Sequence, residues 1–417
     1  MSDSARLYRG SLTPDEAVAR LSAAVRRTSA PETVSLAAAS GRYLVDDLVA
    51  GHDLPSTNNA AVDGYAIDAA FLAGHPGHAF PIIGRAAAGH PFDGQARPGE
   101  AVRTFTGAVM PAGTDAVAMH EFCELDAEGA HVTIGSKLTP GANNRPTGEN
   151  LRKGETIIPA GTGLDAADLG IAAASGMATL KVHQRLRVGL ISMGDELVAP
   201  GAKPAFGQLH DSNHPMLAEM LRGDGHEVRD FGIVADDEAA LTSCIATALS
   251  TCDAVLSSGG ASDGDEDHTQ AAMRNNGVEP TFWRLSIKPG RPMSAGVLGG
   301  KPVMCLPGNP VAAFVCFRLA AAPVLRHMAG GTAKPVLRLH VRCGFAHRKS
   351  PGRAEYLRVR IATGADGEPE MTLHGRKGAG VLSSLTGADG LIEIPVDNDG
   401  VAVGDYLPFI PFRETGL

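Results

Sequence analysis

Residues 13–27 carry apolar side chains at helical spacing, Ala17, Val18, Leu21, Ala24 and Val25, behind the polar opening Thr13-Pro14-Asp15-Glu16. Thr13 at the N-cap, Pro14 at the first helical position and two acids in the first turn predict a capped amphipathic helix. The texture then changes. Between about 53 and 137, Gly and Pro separate short apolar runs such as 80–83 and 116–119, which predicts a small β-rich domain. A Gly/Asn/Pro/Arg stretch over 140–154 leads through Ile157 and Ile158 into a helix expected at 165–175.

From Arg185 the period becomes regular. Continuous apolar strands are expected at 187–193, 228–234, 253–258, 281–287 and 303–306. Helices are expected at 216–222, 237–250, 268–275 and, starting at Pro310, as far as about Met328. Strands alternating with helices predict a doubly wound parallel α/β sheet, which takes ligands at the carboxyl ends of its strands. Beyond Gly330 and Gly331 alternation over 337–341 and 356–361 points to a second β-rich region.

Length and composition narrow the class. At roughly 100–200 residues per domain, a chain of 417 residues holds two to four domains. The formal net charge of −9 excludes a global positive field for nucleic acid or an anionic membrane, so an anionic ligand must be held locally. Aromatic residues, at 5 %, are too sparse for base-stacking platforms. Gly (51) and Pro (27) are abundant enough to imply many turns and short strands. The six cysteines form no CxxC pair, which argues for reduced thiols in a cytoplasmic protein rather than disulfides or structural zinc. No h-region opens the chain, and no uninterrupted apolar run reaches the ~18 residues of a membrane span.

Three loops fall at expected strand ends. The first runs Ser192-Met193-Gly194-Asp195-Glu196-Leu197; the second runs from Ser257 and Ser258 through Gly259, Gly260 and Ser262 to Asp267. The third is Leu306-Pro307-Gly308-Asn309-Pro310, where Asn309 caps a long helix whose first amides and dipole would attract an anion. Glycines let backbone N–H groups approach phosphate, and hydroxyls donate to it. The acids Asp263, Asp265, Glu266 and Asp267 read either as a solvated tip or as a carboxylate site for Mg²⁺ beside phosphate. Arg284, Lys288 and Arg291 read either as surface cations or as an oxyanion clamp. The Asp63-Gly64 and Thr106-Gly107 segments are, on residue type alone, ordinary turns.

The ordered set VDGYA, TFTGAVMPAG, GENLRKGE, SMGDEL, HDSN, SSGGASDGDED, IKPGRP and LPGNP resembles the molybdopterin molybdenumtransferase (MoeA) family, which includes the E domain of gephyrin. The resemblance extends over about 13–409. It implies an α/β multidomain protein with a central MogA-like molybdopterin-binding domain at 181–330. It also implies an elongated domain from 1–52 plus 140–180, a β-rich domain inserted at 53–139, and a barrel-like C-terminal domain at 331–417. It further implies a homodimer whose cleft lies between the α/β domain of one chain and the β-rich second domain of the other.

The activity so implied is Mg²⁺-dependent insertion of molybdate into adenylylated molybdopterin with release of AMP. Carried over by motif, the catalytic positions fall on Asp63, Thr106, Glu196 and Asp267, with Glu196 and Asp267 also as metal ligands. Substrate-binding positions fall on Ser258, Gly259, Gly260, Ser262, Arg284, Lys288, Arg291, Pro307, Gly308 and Asn309. Transient contact with other cofactor-biosynthesis proteins is expected, and none with nucleic acid or membrane. Departures from the family pattern are Ala60-Ala61-Val62 before Asp63 where Ser-Ala-Met is usual, arginine at 284 and 291 where lysine is common, Thr156 where an acid is common, and Ala379-Gly380 in place of polar residues. A scaffold on the same fold, or a pterin adenylyltransferase, are the alternative functions.

Overall fold

The computed structural model describes residues 11–27, 30–260, 268–332 and 335–412. The first helix, Pro14–Ala24, starts as its sequence dictates: the Thr13 hydroxyl accepts from Glu16 N–H, and the Glu16 carboxylate accepts from the Thr13 backbone. Its buried face, Ala17 and Leu21, joins the largest apolar cluster of the chain.

That cluster lies on one face of a six-stranded sheet ordered Glu227–Val234, Arg187–Met193, Ala254–Ser258, Lys301–Leu306, Ser294–Leu298, Glu279–Phe282. Side-chain alternation sends Val188, Leu190, Leu256, Met304 and Leu306 to this face, under Leu217 and Leu221 of helix Asn213–Gly223. The opposite face collects Ile191, Met193, Val255, Val303 and Cys305 against Leu241 and Ile245 of helix Glu238–Thr251 and Met273 of helix His268–Asn275. Burial on both faces explains why the strands read as unbroken apolar runs.

The sheet departs from the expected parallel one. Its first four strands are parallel, but Ser294–Leu298 runs antiparallel to Lys301–Leu306, joined by the tight Gly299-Gly300 turn. The expected strand over 281–287 is also two elements. Glu279–Phe282 closes this sheet, whereas Ile287–Lys288 pairs in parallel with Ala354 and Glu355 of the C-terminal region. The helix from Pro310 continues to Met328 through a π turn at Phe317–Ala321, just before Pro323, whose ring nitrogen cannot donate to the ladder. These 19 residues are apolar enough to cross a membrane by length and composition, but most of their side chains are buried in the core of the fold.

Ahead of the α/β sheet, Pro31–Ser35 pairs antiparallel with Thr179–His183, and Leu48–Val49 with Thr156–Ile158, so chain on both sides of the 53–139 segment shares one small core. The intervening residues form a six-stranded sheet, Ala116–Met119, Gly64–Ile67, Ala101–Thr104, Ala79–Ala86, His131–Ile134, Cys123–Leu125. Toward the C-terminus, Ala354–Thr363, Pro369–Leu373, Leu339–Cys343, Tyr406–Pro411 and Gly390–Ile394 pair in that order. The last strand pairs back onto the first, closing a barrel without free edges. All six cysteines are free thiols.

Candidate functional site

A cleft of about 810 Å³ opens at the carboxyl ends of the three central parallel strands. Glu196, Ser258, Gly259, Gly260, Gly308 and Asn309, from three separate loops, all line it. Gly259 has φ +95°, and a Cβ there would lie 2.2 Å from the Met193 carbonyl oxygen. Only glycine lets the chain pass so close to the neighbouring strand end and keep its backbone toward the cleft. Gly194 is less constrained: its φ is also positive, +146°, but what stands 2.4 Å from where a Cβ would be is the tip of the Glu196 carboxylate, which can swing aside.

Asn213 ties two of these loops together. Its Nδ2 donates to the Ser258 hydroxyl and to the Gly308 carbonyl, each at 2.7 Å. A carbonyl can only accept, so the amide orientation follows, and Ser258, already an acceptor from Asn213, has its own O–H to offer the cleft. The buried Asn213 Oδ1 has no partner among the described residues. Four carboxylate side chains line the same cleft, Asp195, Glu196, Asp211 and Asp236. Asp195 accepts from Asp236 N–H and Asp211 from His214 N–H, whereas the Glu196 and Asp236 carboxylates accept no hydrogen bond among the described residues.

A second cavity, about 470 Å³, adjoins the first at Asn309 and is walled by the barrel. Lys288, Arg291 and Pro307 line it, as do Arg353, Arg358 and Lys377 from the C-terminal region. Arg358 is 3 % exposed and donates from Nε to the Ser384 hydroxyl and from Nη2 to the Arg376 carbonyl. Burial lowers its pKa. The third set of expected residues stands elsewhere. Thr106 donates to Asp63 from its backbone N–H and its hydroxyl, and neither residue lines either cavity.

Three family descriptions match the chain in order: the MoeA N-terminal region (domain I and II) over residues 12–176, a probable molybdopterin binding domain over 189–327, and the MoeA C-terminal region (domain IV) over 340–412. A protein of Haemophilus influenzae named molybdopterin molybdenumtransferase is 31% identical over 97% of this chain and 99% of its own length. The chain belongs to the MoeA family. A Mycobacterium tuberculosis protein named molybdopterin molybdenumtransferase 2 is 33% identical over 93% of this chain and 96% of its own. The MoeA fold is shared with a crystal structure described as the molybdopterin biosynthesis moeA protein of Pyrococcus horikoshii OT3. It has a TM-score of 0.81 at 27% identity, covering 97% of this chain and all of that one.

Against the expectations for a MoeA chain, one correction stands, at the start of the helix from Pro310. Arg284 lines neither cavity. Its backbone carbonyl accepts from Leu12 N–H and the next residue bridges to Leu12, while Leu285 N–H donates to the Arg291 carbonyl at 2.9 Å, so the segment runs between the N-terminal segment and the Arg291 turn. The amides at the start of helix Pro310–Cys316 offer less than expected: Pro310 has none, and Val311 N–H donates to the Ala379 carbonyl at 3.0 Å. Nor does the Asn309 side chain cap that helix. Ser262 and Asp267 lie outside the described residues. Thr156 begins a strand against Val49 and lines neither cavity, while Gly380 lines the larger one. Arg353, Arg358 and Lys377 escaped the sequence reading because each sits in an undistinguished barrel strand or turn, with no motif around it.

Proposed function

We propose that this chain inserts molybdate into adenylylated molybdopterin with release of AMP, completing a step of molybdenum cofactor biosynthesis. One observation carries the reading: a cleft of about 810 Å³ at three strand ends opens, at Asn309, onto a cavity lined by five cations. Two anionic reactants repel each other in water, and adjoining amide-rich and cationic walls offset that repulsion at the point where they must meet. The Gly259 and Gly260 backbone and the Ser258 hydroxyl hold the phosphates, and Lys288 and Arg291, with Arg353, Arg358 and Lys377, hold molybdate as substrate.

The larger cleft suits Mg²⁺. Its carboxylates, Asp195, Glu196, Asp211 and Asp236, are the hard oxygen donors that Mg²⁺ takes, one or two at a time beside substrate phosphates. Glu196 would hold it, with Asp267 as the expected second ligand, and the ion would supply charge compensation. Asp63, held by Thr106, serves the cleft of a second copy in a homodimer. The division into units at 1–52 with 140–180, 53–139, 181–330 and 331–417, and action in the cytoplasm, belong to the same proposal.

The test is purified protein with adenylylated molybdopterin, molybdate and Mg²⁺. AMP and active cofactor must appear together, and Glu196→Ala must lose both while staying folded. Full activity in that variant removes Glu196 from its role. Production of adenylylated molybdopterin rather than its consumption would make the protein an adenylyltransferase.

A further inference from the structure

The cationic cavity contains one buried acid. Glu355 is 5 % exposed, and both its oxygens are engaged: Oε1 accepts from Lys288 Nζ at 3.0 Å, and Oε2 meets His347 Nε2 at 3.2 Å. His347 Nδ1 in turn faces Lys377 Nζ at 2.7 Å. An ammonium can only donate, so Nδ1 accepts and the imidazole carries its proton on Nε2, which donates to Glu355. The four side chains thus form one line, Lys288 to Glu355 to His347 to Lys377, with donor matched to acceptor at each step when His347 is neutral and Glu355 ionised. Burial raises the Glu355 pKa, but the hydrogen bonds from Lys288 and His347 outweigh it and hold the group below the usual glutamate value.

The backbone builds the same relationship. Lys288 and Glu355 are register partners in the two-residue pairing that joins the α/β region to the barrel, with Ala354 N–H on the Ser286 carbonyl at 2.9 Å. His347 is set by an equally close approach, since a Cβ on Gly400 would stand 2.2 Å from its carbonyl oxygen. Lys288 itself is more than half exposed and has a flexible four-carbon stem. Without an anchor its ammonium would sample water.

We propose that Glu355 and His347 are positioning residues for oxyanion binding: Glu355 fixes the Lys288 ammonium, and through His347 the Lys377 ammonium, on one wall of this cavity. The carboxylate is engaged by two donors, so its charge faces Lys288 and His347, while Arg291, Arg353 and Arg358 complete the positive lining. Holding the ammonium groups in place before the ligand arrives removes an ordering penalty from binding. This inference rests on the oxyanion reading of the cavity.

The experiment titrates molybdate alone into the full chain by calorimetry and measures KM for molybdate and kcat for AMP release in parallel. Glu355→Gln is expected to weaken molybdate about tenfold in both Kd and KM, with a smaller change in kcat. Glu355→Asp is expected to recover most of that loss. Combined with Lys288→Ala, Glu355→Gln must fall short of the product of the two single effects, because it acts largely through Lys288. Unchanged or tighter binding in Glu355→Gln, or full multiplicativity with Lys288→Ala, overturns the proposal. If Lys288→Ala loses molybdate while Glu355→Gln keeps it, the positioning inference alone falls; if wild type and Lys288→Ala bind molybdate equally, the oxyanion reading falls with it. Should Glu355→Gln not fold, His347→Ala in the same titration decides, with weakened binding supporting the line and unchanged binding ending it.

Discussion

Thr106 donates twice to one oxygen of Asp63, from its backbone N–H at 2.8 Å and from its hydroxyl at 2.7 Å. Both bonds stabilise the carboxylate over the acid, the backbone bond more than the hydroxyl, and Arg103 and His120 add smaller attractions, so the Asp63 pKa is lowered. Asp63 therefore keeps its charge to lower pH than a free aspartate. Thr106→Val removes the hydroxyl bond and leaves the backbone bond. The acid limb of the pH profile for AMP release is expected to move to higher pH in this variant, with the plateau reached near neutrality. An acid limb that stays in place would show that Asp63 ionisation does not control the rate.

The close approach at Gly259 gives a stability prediction with its own control. Gly259→Ala forces an L-residue into positive φ and pushes a methyl against the Met193 carbonyl, whereas Gly232→Ala meets only the first problem, with φ +72° and nothing within 4 Å. Gly232→Ala should cost about 1 kcal/mol, and Gly259→Ala roughly 1–3 kcal/mol more, together with weaker binding of adenylylated molybdopterin. Urea unfolding followed by fluorescence of Trp283, the single tryptophan, which packs beside the core under helices Glu238–Thr251 and His268–Asn275, reads the difference. Equal losses in the two variants would mean that the loop can move away from Met193.

His226 makes the stability of the α/β region depend on pH. Its ring is buried, and burial, helped by the positive charges of Arg185 and Arg326, pushes its pKa down to about 4. In the unfolded chain it titrates near the ordinary histidine value of about 6.5, so between those values the unfolded state binds more protons. Stability from this residue is therefore complete above pH ~6.5 and is lost as pH falls toward 4. Between pH 7 and pH 5 the loss should be on the order of 2 kcal/mol in Trp283-detected unfolding, and His226→Phe should flatten it. An equally steep slope in the variant would assign the dependence to other groups.

Local features were legible in the sequence, and encounters between distant segments were not. The Thr13–Glu16 capping box, the acidic cap at Asp237 and the apolar strands ending at Met193, Ser258 and Leu306 each depend on neighbours within a turn or a strand, and they stand where their residues predict. So do Glu196, Ser258 and Gly308, because strand ends of a parallel sheet converge whatever the loops contain. The reversed strand Ser294–Leu298 was missed because its Ala295-Gly296 centre lacks a strand-like apolar run. The Leu12 bond to the Arg284 carbonyl, the Val311 bond to Ala379 and the pairing of Lys288 with Glu355 all arise where the N-terminal segment or the barrel touches the α/β region. No local period encodes such contacts, and they decide which cations face the oxyanion cavity.

Asp63 and Thr106 lie apart from the cleft lined by Glu196 within one chain, and this separation makes the proposed two-chain site testable without a structure of the dimer. If each cleft takes its Asp63 from the other copy, Asp63→Ala and Glu196→Ala inactivate each site from opposite sides. A mixed dimer of the two variants then carries one site with both substitutions and one with neither. Random exchange places about half of the chains in such dimers, so an equimolar mixture of the two inactive proteins should recover roughly a quarter of wild-type AMP release. Recovery should require unfolding and refolding together, or prolonged co-incubation, and should vanish when either variant is mixed with itself. If both residues serve one cleft within a single chain, every site in the mixture keeps one lesion and no activity returns. Sedimentation of the same mixture supplies the second readout, since a monomeric protein would give neither the doubled mass nor the recovery.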